Sequence, residues 1–371
     1  MVSRVANVLK SVTILLGVAM SFTQISCVKD DAYVREIAED ANRPFEFQVP
    51  ANFPEPVAMS SNPLTEAGVA LGRNLFYEPL LSGTKNVSCA TCHNQRKAFS
   101  DGLVLSNTGI SGKPLQRHSP VIFNLAWTGI ESGFFWDGGA KNLESQAFAP
   151  LTHPDEMGIF FPEMVARLEA IPEYVTLFLR AFQELPTAAG VAKALAQFQR
   201  TLISADSPYD RYRRGEDRAA LGASALRGLT LVQQKCGNCH AGELFTDNQF
   251  HNNGLDSNFT DDSHEEVYFG RFRVSRNPTD LGAYKTPSLR NVMVSAPYMH
   301  DGRLSDISAV FDHYRTGVQA GATTDRSFYQ PNGRIGIPIT DEEMRDMITF
   351  LHGLTDNTYL NNDTYSNPHK K

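Results

Sequence analysis

Cysteine and tryptophan are scarce in this chain: five and two, respectively, among 371 residues. So few cysteines exclude a small disulfide-stapled scaffold. No basic run occurs, and acidic residues outnumber basic ones, 41 to 34, for a formal charge of −7. That balance offers no electrostatic footprint for nucleic acid. Beyond the N-terminus no apolar stretch is long enough to span a bilayer, and no run of alternating β-branched residues is long enough to build a sheet. What remains is a mostly α protein whose length suits two domains of about 150 residues each.

Four of the five cysteines fall in two copies of one pattern, Cys89-Ala90-Thr91-Cys92-His93 and Cys236-Gly237-Asn238-Cys239-His240. Two thiols at this spacing can add to the two vinyl groups of one porphyrin, and the adjoining histidine then reaches the iron. A disulfide reading explains the cysteine pairs but not a histidine directly after both. A zinc reading needs further ligands at finger spacing, and neither pair has them. The sequence therefore predicts two covalently bound haem c groups, attached at Cys89 and Cys92 and at Cys236 and Cys239, with His93 and His240 as proximal iron ligands.

Such attachment takes place outside the cytoplasm, which calls for an export signal. Arg4 and Lys10 form a positive start, Ser11 to Met20 is mostly apolar, and residues 1–26 read as a signal peptide for the periplasm. The fifth cysteine, Cys27, follows Ile25-Ser26 in a pattern that resembles the bacterial lipobox, although Gln24 stands where leucine is usual. Lipid attachment at Cys27, tethering the chain to a membrane, and plain cleavage to a soluble form are both open.

Residues 27–62 form a proline-punctuated polar arm that reads as an extended strap. A first haem domain spans 63–214, with helical patterns over Phe161 to Phe182 and Ala188 to Ile203. The charged run Asp210 to Arg218 reads as a solvated linker. The second domain, 215–371, repeats the plan: Ala220 to Gln234 leads into Cys236, and Thr340 with Glu343 offers a capping box for a last helix through Leu351.

Further segments carry a family likeness. They are Ala98-Phe99-Ser100-Asp101-Gly102, Arg117-His118-Ser119-Pro120, Phe135-Trp136-Asp137-Gly138, Gln146, Asp155-Glu156-Met157-Gly158, Lys285-Thr286-Pro287-Ser288-Leu289-Arg290-Asn291 and Ala296-Pro297-Tyr298-Met299-His300-Asp301-Gly302-Arg303. In order and spacing this set resembles the bacterial di-haem cytochrome c peroxidases and their relative that matures the quinone cofactor of methylamine dehydrogenase. The resemblance covers about Pro63 to Leu354. It implies two cytochrome c-like helical domains, with Trp136 as an electron relay between haems. From residue type alone, Trp136 after two phenylalanines reads first as ordinary core.

The resemblance also implies that Glu156 and Gln146 line a peroxide pocket at the first haem, where a carboxylate can take a proton from hydrogen peroxide and return it to the leaving oxygen. Reduction-activated peroxidases carry a ligating histidine near the place of Ile110, but Leu103 to Gln116 contains none. The first iron is thus expected to be open without prior reduction. His118 stands where relatives carry an asparagine that helps bind calcium between the domains, which bears on whether Ca²⁺ binds here. The distal ligand of the second haem falls on Tyr314, as in the quinone-maturing relative, with Met299 and His313 as alternatives.

The expected activity is reduction of hydrogen peroxide to water, with electrons from a small c-type cytochrome or cupredoxin. Two alternatives stand beside it: peroxide-driven oxidation of a protein side chain, and plain electron transfer by a two-haem cytochrome.

Overall fold

The computed structural model describes residues 39, 43–58, 60–103, 108–259 and 267–370. The expected signal peptide, Cys27 and the first part of the arm lie outside the described residues. The chain is mostly helical, and among the described residues the strands amount to one two-residue antiparallel pair, Phe250–His251 with Tyr284–Lys285. No described helix is long and apolar enough to cross a membrane.

Two helix pairs built on one plan organise the molecule. In the first, α1 (Glu66–Phe76) crosses α5 (Ala188–Arg200), after α2 (Leu143–Thr152), α3 (Phe161–Glu169) and α4 (Pro172–Phe182). In the second, after the short α6 (Pro208–Arg213), α7 (Ala223–Lys235) crosses α9 (Asp341–His352), with α8 (Ile307–Asp312) between them in sequence. Each crossing needs a glycine. A Cβ at Gly72 would lie 1.9 Å from the Ala194 carbonyl oxygen, and one at Gly228 would lie 2.0 Å from that of Asp346. In both, the Cβ of a phenylalanine, Phe198 or Phe350, would be 2.8 Å away. Such close backbone approach is open only to a residue without a side chain.

Each pair buries its own core. Leu71, Leu75, Phe76, Phe99, Phe178 and Phe198 fill the first, and Val232, Phe245, Phe311, Met347 and Phe350 the second. Caps set the helix starts. Thr65 Oγ1 accepts from the Gly68 N–H on α1, and on α9 the expected capping box forms, with Thr340 Oγ1 accepting from Glu343 N at 3.2 Å and Glu343 Oε2 from Thr340 N at 2.8 Å.

The structure corrects two readings. The helical pattern over Phe161 to Phe182 is two helices, broken where Pro172 starts a new one because proline has no N–H to continue the ladder. The run Asp210 to Arg218 is not a solvated linker at its start. Asp210 is fully buried in a bidentate pair with the fully buried Arg290, 2.8 Å on each arm. The partner lies 80 residues away, so local charge density could not reveal it.

Two segments cross the boundary expected at residue 214. Tyr209 of α6 packs in the second core, while Tyr359 and Leu360 pack in the first. There Tyr77 Oη donates to the Tyr365 carbonyl at 2.7 Å, and Arg73 Nε to that of Ser366 at 2.8 Å. The described part of the arm turns where Phe53 N donates to the Pro50 carbonyl at 2.8 Å, and it ties the halves together. Phe47 and Phe53 pack on Trp127, and Asn52 Nδ2 donates to Asp210 Oδ1 at 3.0 Å.

Candidate haem sites and the seam between them

At the first site a single helical turn, Cys89–Cys92, sets the two thiols beside His93, whose N–H closes onto the Cys89 carbonyl at 2.9 Å. Ala98 and Phe99 both take left-handed backbone angles, φ 54° and 58°, which fold the Phe99 carbonyl back to 2.6 Å from His93 Nδ1. A carbonyl only accepts, so Nδ1 carries the proton and Nε2 keeps the lone pair a metal needs. Burial lowers the His93 pKa against the pull of Phe99 and Asp101, favouring the neutral imidazole.

The second site repeats this. Helix α7 runs into Cys236, the His240 N–H bonds to the Cys236 carbonyl at 2.8 Å, and His240 Nδ1 faces the Phe245 carbonyl at 3.3 Å, with Phe245 at φ 51°. Burial again lowers the imidazole's pKa. Cys89, Cys92, Cys236 and Cys239 are unbridged. Burial, then the neighbouring cysteine, pushes the thiols of Cys89 and Cys236 up to about 12. Each site thus presents two free cysteines beside an imidazole whose Nδ1 is held by a backbone carbonyl, leaving Nε2 for a metal, and both donor sets fit haem c.

Glu156 sits in the turn that follows α2, the helix carrying Gln146. That turn is tied by Glu156 N to the His153 carbonyl at 3.0 Å and by Met157 N to that of Pro150 at 3.1 Å. Both side chains are half-buried. The Glu156 carboxylate is near enough to Cys89 to add, last among its causes, to the rise of that thiol.

His118 is buried and engaged locally. Its Nε2 lies 3.1 Å from Ser100 Oγ and its Nδ1 3.0 Å from Asp101 Oδ1. Burial would raise Asp101, but His118, the Leu103 N–H and the Ser119 side chain hold it down at about 2. The His118 side chain offers no oxygen to calcium, and no group of three His, Cys, Asp or Glu able to hold a metal ion occurs among the described residues.

Trp136 lies at the seam. Its Nε1 donates to the His118 carbonyl at 2.8 Å, and its own carbonyl accepts from Lys285 N at 2.8 Å, joining the two halves of the chain. Among the described residues it belongs to no hydrophobic cluster, whereas Trp127 packs in one with Phe53 and Ala126. The next residue, Asp137, is buried and bridged at 2.8 Å by Arg117 from one half and by Arg273 from the other. Burial opposes its charge, but the two guanidinium groups win and lower its pKa. Lys285 Nζ donates to the Gly133 carbonyl at 2.9 Å, and burial pushes this ammonium down to about 8.

Of the three distal candidates at the second site, Met299 Sδ accepts from Asn253 Nδ2 at 3.3 Å, and His313 Nε2 lies 3.1 Å from the Asn253 carbonyl. Tyr314, on a wide π-turn over His313–Gly317, has its phenol raised to about 12, first by burial and also by Cys236 and Cys239. Its side chain also bonds to Asn253, so all three candidates gather at that residue. The sequence reading missed His251, gripped by Asp325 at 2.6 Å and Asp247 at 2.9 Å beside Cys239. Asp247, four residues away, is the one local signal, whereas Asp325 is 74 residues distant and gives none.

Two matched cysteine-pair sites joined by a tryptophan seam define a two-haem c-type protein. The chain belongs to the di-haem cytochrome c peroxidase family, whose sequence model matches residues 66–218. It is 41% identical over 312 residues to the methylamine utilization protein MauG of Methylorubrum extorquens, covering 83% of each chain. It is 30% identical over 308 residues to the cytochrome c551 peroxidase of Pseudomonas aeruginosa, covering 81% of this chain and 83% of that protein. Among solved structures it is similar to a MauG-like protein associated with microbial copper homeostasis, with a TM-score of 0.78 and 30% identity over 87% of this chain and 99% of that one.

Proposed function

We propose that this chain is a periplasmic di-haem peroxidase that reduces hydrogen peroxide to two waters, consuming two protons and two electrons. The observation that carries the reading is Glu156, held in the turn after the helix of Gln146 and bonded through its carbonyl to Ile110 N at 2.8 Å, in a loop that supplies no histidine. The haem at that site would supply the iron that accepts peroxide oxygen. Glu156 would take the proton from the attacking oxygen and deliver it to the leaving one, with Gln146 lining the same pocket. Trp136 would carry electrons across the seam from the second site, where Tyr314 would be the distal ligand. The donor would be a small c-type cytochrome or cupredoxin. Lipidation at Cys27 would hold the enzyme at a membrane, and mass spectrometry of the mature N-terminus tests it. We do not assign calcium a part, because His118 is spent on Ser100 and Asp101.

The test pairs Glu156→Gln with an EPR spectrum of the as-isolated ferric protein. A high-spin signal, and a peroxide reaction slowed by about two orders of magnitude in the variant, are expected. A wholly low-spin spectrum or wild-type rates would remove the assignment. A second reading, oxidation of a protein side chain with the same peroxide chemistry, is favoured by Tyr314 beside Cys236 and Cys239. Peroxide turnover without any small-protein donor, but with a side chain modified in a partner, would select it.

A further inference from the structure

We propose that residues 108–113 form a clip that positions Glu156, with Gly109 and Ile110 as positioning residues; this rests on reading Glu156 as the pocket acid. The Ile110 N–H donates to the Glu156 carbonyl at 2.8 Å. Gly109 lies flat against the same turn. A Cβ there would fall 2.1 Å from the Asp155 carbonyl oxygen, 2.3 Å from that of Glu156 and 2.5 Å from Glu156 Cα. The Ile110 side chain packs over Gly158, where a Cβ would meet its Cδ1 at 2.4 Å, and joins the first core. At the outer end Lys113 Nζ lies 3.6 Å from Asp155 Oδ1, and Ser111 also bonds that carboxylate. From the other side Gly83 N donates to the Met157 carbonyl at 2.7 Å.

The acid's turn is thus held between two backbone segments, with a glycine on each side permitting direct contact. Backbone contacts of this kind leave little slack, and a misplacement of about 1 Å in a reacting group can cost about a hundredfold in rate. The residue standing where reduction-activated relatives carry their ligand, Ile110, is here committed to the acid. The loop can therefore serve the pocket without having to move.

A double-mutant cycle with the intact holoenzyme tests this. Gly109→Ala forces the turn aside, and the second-order rate with hydrogen peroxide, followed by stopped-flow haem absorbance, should fall about ten- to a hundredfold. The ferric spectra of both haems should be unchanged. In a Glu156→Gln background the same substitution should cost nothing further, since the group it positions is already gone. Ile110→Val, which keeps the N–H and the branched shape, should stay within about twofold of wild type. Should Gly109→Ala fail to fold, Ser111→Ala with Lys113→Ala unties only the exposed end, and a fall of about threefold, again absent in Glu156→Gln, is expected. A wild-type rate in Gly109→Ala, or an equal loss in both backgrounds, would overturn the clip while leaving the acid in place. A wild-type rate in Glu156→Gln alone would instead overturn the acid itself.

Discussion

Asp210→Asn should destabilise the second domain by about 3 kcal/mol, the low end of the cost of stripping one partner from a buried ion pair. Arg290 has no exposed side-chain surface, and two of its contacts go to the carboxylate being removed. What stays is the Glu243 carbonyl, at 2.9 Å from Nε and 2.6 Å from Nη2, and the ring of Phe53, 4.6 Å away. Those contacts place the expectation at the low end of that range. The loss reaches the haem site because the same segment presents the Phe245 carbonyl to His240. Guanidinium titration followed by second-haem absorbance measures it, with a fall in Tm of about 6–12 °C on the scale usual for domains of this size. Replacing both partners, Asp210→Leu with Arg290→Met, should regain most of the loss, since an apolar pair leaves no buried charge unpaired. A loss under about 1 kcal/mol in Asp210→Asn would show that Arg290 is solvated in solution and refute the reasoning.

Three further outcomes are expected. Trp136→Phe keeps an aromatic ring but removes the N–H bonded to the His118 carbonyl; stability should fall by about 1 kcal/mol, both haems should remain bound, and electron transfer between them, measured by flash photolysis, should slow. Tyr314→Phe should change the absorption and EPR signals of the second haem alone, and unchanged signals would exclude Tyr314 as its ligand. Asp101, held at about 2 against an ordinary value of about 3.9, adds stability that is present above about pH 4 and lost as the pH falls toward 2. In Asp101→Asn that part of the acid sensitivity, roughly 2 kcal/mol, should be missing from a pH titration of unfolding.

Much of the fold was legible because its signals are local. The capping box at Thr340 and Glu343, the helix running into Cys236 and the lack of sheet-forming stretches all concern residues within a few positions of one another. Pro172 is equally visible, but apolar spacing continues across it and masks the break between the two helices. The charged run at Asp210 misled for the opposite reason: its meaning depends on Arg290, and nothing near Asp210 announces a buried partner.

For the candidate site, the sequence by itself determined where two haems attach, because that chemistry needs two thiols and an imidazole at one fixed spacing. It also determined that no histidine stands in the loop after the first haem. Only the tertiary structure decided that Trp136 is a seam residue while Trp127 is core, that His118 is consumed by Ser100 and Asp101, and that Ile110 grips the turn of Glu156. Each of these rests on a contact between residues far apart in the chain, made by backbone groups every residue carries or by side chains whose partners folding alone selects.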